Sequence, residues 1–204
     1  KLRKFCDERK VLLMADEVLT SWGRTGKFLA MEHWGVVPDV VTLGKGFGNG
    51  FPVTCVAVRE PFKECFESIS ASSSYGGNPM ACAAALATLD IFEQDRVIEQ
   101  NRALAAHMRR ACMRFADHPH VAEVRQTGMI VALEMVKDKT TRQAYPWQER
   151  RGRRVYRHAL AHQALLRPLG DVIYFMPPYV INAEEIGQIA DAAWEGITYA
   201  TRDT

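Results

Sequence analysis

Residues 12–50 read LLMADEVLTSWGRTGKFLAMEHWGVVPDVVTLGKGFGNG, and the alternation inside this stretch decides the fold class. Val11–Ala15 is a continuous apolar run, the pattern of a strand buried on both faces. A polar, glycine-containing stretch follows, Thr20–Lys27. Pro38 and Asp39 then lead into a second buried strand, Val40–Leu43, which ends in Gly44-Lys45-Gly46. Beyond Gly46–Gly50 come a third strand, Thr54–Val58, and a short helical stretch from Pro61. Asn78 and Pro79 open the next helix as cap and first residue, and its Ala-rich body, Met80–Phe92, is expected to be buried. Strand, loop, strand and helix in this order predict an α/β sheet with helices on its faces.

The character of the chain changes near Gln94. Val97–Phe115 has the apolar spacing of a long amphipathic helix, through Ile98, Leu104, Met108, Cys112 and Phe115. Val121–Val124 and Met129–Glu134 read as a hairpin, Gln148–His162 as a basic helix, and Leu165-Leu166 and Val172–Met176 as short strands. Asn182, with Glu185 three residues on, predicts a capping box for a last helix whose stripe is Ile186, Ile189, Ala190, Ala193 and Ile197. The expected organisation is an α/β part, residues 1–95, and a smaller α+β part, residues 96–204. The chain opens at Lys1 on what reads as the end of a helix, so further sequence upstream is expected.

Composition narrows the function classes. Of 204 residues, 48% are hydrophobic and 25% charged, which is enough apolar side chain to exclude intrinsic disorder. Lys and Arg number 26 against 24 Asp and Glu, so no basic field for nucleic acid is present, and no apolar run has the length of a bilayer span. The one basic cluster, Arg150–Arg154, reads as the solvated face of a helix. Tyr145-Pro146-Trp147 reads as a packed loop. The five cysteines show neither metal-ligand nor disulfide spacing, so the reducing cytoplasm is the expected compartment and no metal site is expected.

Two residues stand out by position. Asp16 follows the first strand and Lys45 the second, and the carboxyl ends of strands form the ligand crevice of an α/β sheet. A structural ion pair is one reading of such a pair. The other starts from Gly44, Gly46, Gly48 and Gly50, which clear side chains from around Lys45. A lysine amine in such a crevice attacks an aldehyde, and a carboxylate nearby suits a protonated ring nitrogen. Together they describe a site for pyridoxal 5'-phosphate (PLP).

The stretch quoted above resembles the signature region of class III aminotransferases of the PLP fold-type I superfamily. The resemblance continues through SSSYGGNPMACAAALATL, residues 72–89, to the MPPYVI segment, residues 176–181, and so covers essentially the whole chain. It implies part of the PLP-binding large domain (a mostly parallel sheet with helices) in residues 1–95, and the C-terminal small domain in 96–204. It further implies that Lys45 is the Schiff-base lysine and proton carrier, that Asp16 keeps the pyridine nitrogen protonated, and that Val18 packs against the ring. Ser74 matches a position that binds the cofactor phosphate of the neighbouring subunit, which implies a homodimer with shared sites. Glu17, Gly23, Arg24 and Gly26 belong to the same signature and read as the crevice wall. The chain resembles the C-terminal half of such an enzyme, and alone it is expected to bind PLP weakly and turn over little.

The C-terminal segment bears on substrate. Where many family members acting on ornithine or 4-aminobutyrate have an Arg before the paired prolines, this chain has Tyr174, and Arg167 comes earlier, in LLRPLGDVIYFMPPY. That arrangement is similar to the biotin-synthesis branch of the family, and implies S-adenosylmethionine as donor and 8-amino-7-oxononanoate as acceptor. Arg167 would then meet the acceptor carboxylate, with Tyr174 lining the same pocket. SSSYGGNP is closer to the enzymes of 4-aminobutyrate or diamines, and DEVLTSWGRTG is intermediate, with Trp22 in place of the more usual Phe. An ω-aminotransferase of 4-aminobutyrate, a diamine or a related ω-amino acid is therefore the alternative. A PLP-dependent aminomutase would share Asp16 and Lys45.

Overall fold

The computed structural model describes residues 1–68 and 74–203 and divides into two compact units, Lys1–Glu99 and Gln100–Thr204. In the first unit α1 (Leu2–Arg9) leads to β1 (Met14–Asp16), β2 (Val40–Leu43) and β3 (Cys55–Val58), followed by α2 (Lys63–Ser68) and α3 (Pro79–Gln94). The sheet order is β1-β2-β3. β1 and β2 are parallel, as expected, but β3 runs antiparallel to β2, so the described part of this sheet is mixed rather than mostly parallel. The Gly46–Gly50 turn is the reason: a short connection returns the chain alongside β2, whereas a parallel neighbour needs a long crossover.

Asp39 sets the register of β1 against β2. Its backbone N–H donates to the Leu13 carbonyl at 2.8 Å, and its carboxylate accepts from the Leu13 N–H at 2.8 Å. Arg3 and Arg59 donate to the same carboxylate at 2.7 and 3.0 Å. The Leu13 N–H, then the two guanidinium groups, hold the Asp39 carboxyl down at about 2. With this end locked, Asp16 falls directly opposite Thr42.

The expectation that these strands are buried on both faces is corrected. Leu13 and Ala15 are inside, while Val11, Leu12, Met14 and Val56 are more than half exposed. A central strand is dry on both faces only where a layer covers each, and the described residues cover one. The same holds for α3, where only the stripe Ala81, Ala85 and Thr88 is buried and Leu86 and Ile91 face outward. Its cap is as expected: Asn78 Oδ1 accepts from the Met80 and Ala81 N–H groups at 2.9 and 3.2 Å.

The second unit holds a four-stranded antiparallel sheet in the order β4-β5-β7-β6, built from β4 (Val121–Thr127), β5 (Ile130–Met135), β6 (Arg167–Leu169) and β7 (Val172–Phe175). Its helices are α4 (Val97–Cys112, within this unit from Gln100 onward), α5 (Arg151–Ala161) and α6 (Ala183–Ala200). Phe115, Met129, Leu133, Ile173, Val155 and Ile197 centre one continuous core. The capping box of α6 is present, with Asn182 and Glu185 exchanging backbone-to-side-chain hydrogen bonds of 2.9 Å each way. The sixth strand begins at Arg167 rather than at Leu165-Leu166, since its pairing with β7 around the Gly170 turn ends with Arg167 opposite Tyr174, and Phe175 pairs only with β5. Among the described residues no helix is long and apolar enough to cross a membrane.

Two readings of polar segments are corrected here. Arg151, inside the basic cluster, is 5% exposed: it pairs with Glu149 and Asp203, donates to the Ala200 carbonyl, and lies over the Tyr145 ring at 4.8 Å. Within the Tyr145–Trp147 loop only Tyr145 is packed, and Trp147 is exposed.

His118 ties stability to pH. It is 3% exposed, its Nδ1 accepts from the His120 N–H at 3.1 Å, and its Nε2 therefore donates to Thr198 Oγ1 at 3.2 Å. Burial, with smaller contributions from His120 and Lys139, pulls its pKa from 6.5 to about 4. Between those values the unfolded chain takes up a proton that the folded chain refuses, so stability present above pH 6.5 is lost as pH falls towards 4. The expected loss is on the order of 3 kcal/mol. Urea midpoints measured from pH 7 to 4 check it, and a His118→Gln variant with an equally steep profile would exclude His118 as its cause.

Candidate active site

The carboxyl ends of β1 and β2 lie side by side because the strands are parallel and in register. Asp16 is the last residue of β1. Its Oδ1 accepts from the Val18 N–H at 3.0 Å and from Thr42 Oγ1, the residue opposite, at 3.2 Å. Its other carboxylate oxygen has no hydrogen bond among the described residues, and the residue is exposed. The carboxylate is thus held by one oxygen and open at the other.

Three residues beyond Thr42 stands Lys45. It is exposed, makes no ion pair among the described residues, and begins a one-turn 3-10 helix, Lys45–Phe47. Its φ of 49° lies in the left-handed region, which costs a side-chain-bearing residue roughly 1 kcal/mol. A glycine would adopt this conformation without that cost, so the surrounding turn and not the lysine's own preference holds it there.

The surrounding residues fix this turn. A Cβ on Gly44 would stand 3.4 Å from Val18 Cγ1, so the Val18 side chain packs beside the backbone leading to Lys45. Gly46 lies flat against Trp22, which stacks on Phe47 at 5.3 Å and meets Phe28 and Phe92 edge-on. Gly48 has no room for a Cβ at all, since it would overlap the Phe51 carbonyl and come 2.5 Å from Val53 Cγ1. Glu17, 2% exposed, accepts from Thr20 Oγ1 and from the Ala30 and Met31 N–H groups at 3.1 and 2.9 Å. It ties Thr20 at the start of the loop to the Ala30 and Met31 backbone beyond its end.

Asp16, Val18 and Lys45 are therefore brought together. Ser74 is in the exposed turn before α3, and α3 itself packs on the Lys45–Phe47 turn. No hydrogen bond or ion pair joins Ser74 to the other three among the described residues. Ser72 and Ser73 of the same motif lie outside the described residues.

Arg167 and Tyr174 belong to the second unit, where they are a directly opposed cross-strand pair on β6 and β7. Both line a cavity of about 780 Å³ whose wall also includes Leu166, Phe175, Pro177 and Ile189. Arg167 makes no ion pair among the described residues, so this cavity, with apolar and polar side chains in its wall, presents a guanidinium without a paired carboxylate among them. Glu185, also on the wall, is occupied by the α6 capping box.

Sequence reasoning missed Thr42 as the hydroxyl that orients Asp16, and Asp39 as the lock on the register. Neither carries a local signal, because each acts through a strand 26 residues away.

Comparison with known proteins follows the same lines. Residues 1–195 match the family model described as aminotransferase class-III. Adenosylmethionine-8-amino-7-oxononanoate aminotransferase of Anoxybacillus flavithermus is 37% identical over 98% of this chain and 46% of its own length. Acetylornithine aminotransferase of Gloeobacter violaceus is 38% identical over 97% of this chain and 46% of its own. The crystal structure of the adenosylmethionine-8-amino-7-oxononanoate aminotransferase of Methanocaldococcus jannaschii superposes with a TM-score of 0.91 at 34% identity, covering 97% of this chain and 48% of that one. The chain spans about half the length of the curated relatives it matches.

Proposed function

Since the chain belongs to the class III aminotransferases, a family of PLP-dependent enzymes, we propose that it carries the lysine-bearing part of such an active site and works in amino-group transfer from S-adenosylmethionine to 8-amino-7-oxononanoate. The observation that carries the reading is the parallel register of β1 and β2, which sets an open carboxylate and a lysine with no ion pair among the described residues at the carboxyl ends of neighbouring strands. That donor set fits PLP: an amine for its aldehyde, a carboxylate for its ring nitrogen, and a branched side chain for its ring face. When bound, PLP supplies a ring that takes up the electrons left when a proton departs from the substrate carbon.

The chain's own residues have these roles. Lys45 Nζ is the covalent anchor and, once released by the substrate amine, the base that holds and returns the proton. Asp16 keeps the ring nitrogen protonated through its open oxygen, while Val18 N–H and Thr42 keep the carboxylate oriented. Val18 bounds the ring face. Ser74 donates to the phosphate of a second subunit's cofactor, which makes the working assembly a homodimer, and the compartment is the cytoplasm. Residues 1–95 serve as the lysine-bearing part of the large domain and 96–204 as the small domain.

The Arg167–Tyr174 pair supports the keto-acid acceptor. An aliphatic chain suits the apolar part of the wall, and a terminal carboxylate suits a guanidinium that has no ion pair among the described residues. A second reading, an ω-aminotransferase of 4-aminobutyrate, a diamine or a related ω-amino acid, is favoured by the 38% identity to the acetylornithine enzyme.

The test is a two-substrate assay on the protein containing this chain, with 8-amino-7-oxononanoate as acceptor and S-adenosylmethionine, a diamine or 4-aminobutyrate as donor. Turnover only with S-adenosylmethionine and acceptor together supports the proposal; preference for an ω-amino donor moves it to the second reading. Product formed without any acceptor would indicate an aminomutase. In the same assay Arg167→Ala is expected to raise the acceptor KM about 10- to 100-fold, the loss of a charge-assisted pair, with kcat less changed. An unchanged KM would remove Arg167 from the substrate site.

A further inference from the structure

A cluster in the second unit lies outside every role assigned above. His158 in the last turn of α5 and His162, the residue that caps its C-terminus, face Glu195 on α6, and their ligand atoms lie within 4.8 Å of one another. We propose that these three residues form a binding site for a transition-metal dication such as Zn²⁺, joining α5 to α6.

The two imidazoles stack at the C-terminal end of α5, with ring centres 4.3 Å apart. His162 Nδ1 lies 2.8 Å from the His158 carbonyl, and a carbonyl only accepts, so Nδ1 carries the proton. That leaves the lone pair of the neutral ring on Nε2, the tautomer that metal-binding histidines adopt when Nδ1–H is held by an oxygen. His158 Nε2 is buried and has no hydrogen-bond partner among the described residues. Its nearest anion, Glu195 Oε2, is 4.0 Å away, too far for a hydrogen bond. It is not too far for a shared ion: bonds of 2.0–2.1 Å to one zinc place two ligand atoms about 3.4 Å apart at the tetrahedral angle and at most about 4.2 Å. His162 and Glu195 are exposed, so ordinary side-chain rotation closes the remaining gap.

Two imidazoles and one carboxylate suit Zn²⁺, Cu²⁺ or Ni²⁺ and not Mg²⁺ or Ca²⁺, which take oxygen sets. Water completes the coordination on the exposed side. Arg202, over the Tyr199 ring that stacks on His158, is the neighbouring cation that opposes binding. His162 is also among the residues lining the large cavity.

The experiment is a calorimetric titration of zinc chloride into the full chain carrying Cys65→Ser and Cys82→Ser, which removes the exposed thiols that would compete. One equivalent is expected to bind, undisturbed by excess magnesium chloride, and to raise the thermal midpoint. His162→Ala and Glu195→Gln, both exposed positions, are each expected to weaken zinc at least about tenfold, the scale reached even by outer-sphere partners of a metal. Arg202→Ala is expected to tighten it. Retention of full zinc affinity by either ligand variant, or absence of a saturable single equivalent, overturns the proposal.

Discussion

A Lys45→Ala variant of the protein containing this chain is expected to lose its covalent cofactor and about 10⁴-fold of its transfer rate. Two functions vanish together: the amine that anchors the cofactor and the base that carries the proton. No neighbour replaces them, because Gly44, Gly46 and Gly48 flank the position and Val18 is apolar. Folding should be undisturbed, since Lys45 is exposed, and alanine carries the same left-handed cost. The measurement is borohydride reduction followed by peptide mass: the parent protein should carry the cofactor on the peptide containing residue 45, and the variant nowhere. Substantial single-turnover transfer by the variant, or reduced cofactor on another lysine of the parent, would sink the assignment. An Asp16→Asn control separates the roles, as it should keep the covalent label and lose rate.

The second large effect concerns stability. Arg151→Ala is expected to destabilise the fold by about 3 kcal/mol or more, read from the denaturation midpoint. The guanidinium is 5% exposed and serves Glu149, Asp203 and the Ala200 carbonyl at once, above the face of Tyr145. Its removal leaves the Ala200 carbonyl, at the end of a buried helix face, without its side-chain donor and takes away the common partner of two carboxylates. Arg151→Lys should recover little, because one ammonium cannot reach three acceptors fixed around a planar fork. Arg153→Ala, exposed on the same helix, is the control. A midpoint for Arg151→Ala no lower than that of the control would show that the network contributes nothing.

The contrast between Arg151 and Arg153 also shows where reading the chain succeeds. Both lie in one run of basic residues, and as a run they look solvated. Which of them turns inward depends on Asp203, 52 residues further on, and on how α5 packs against α6. The strand β1 carries the same lesson in reverse. Its apolar run predicts a strand buried on both faces, yet Met14 and Leu12 are exposed, because burial depends on layers that the strand itself does not encode.

What the sequence determined by itself is local chemistry and its order. Asn78-Pro79 starts a helix and Asn182 with Glu185 starts another, because a cap bonds to backbone three residues away. The succession of apolar runs and glycine turns placed Asp16 and Lys45 at strand ends, and the combined motif was long enough to indicate the family. Tertiary structure alone decided what stands opposite what. It put Thr42 beside Asp16, set Arg167 across from Tyr174, left Arg167 without a counter-ion among the described residues, and gathered His158, His162 and Glu195 from the end of α5 and from α6. The physical reason is that strand register and helix packing are fixed by contacts summed over whole elements, such as the Asp39 lock on Leu13, and a one-residue slip would face every side chain the other way.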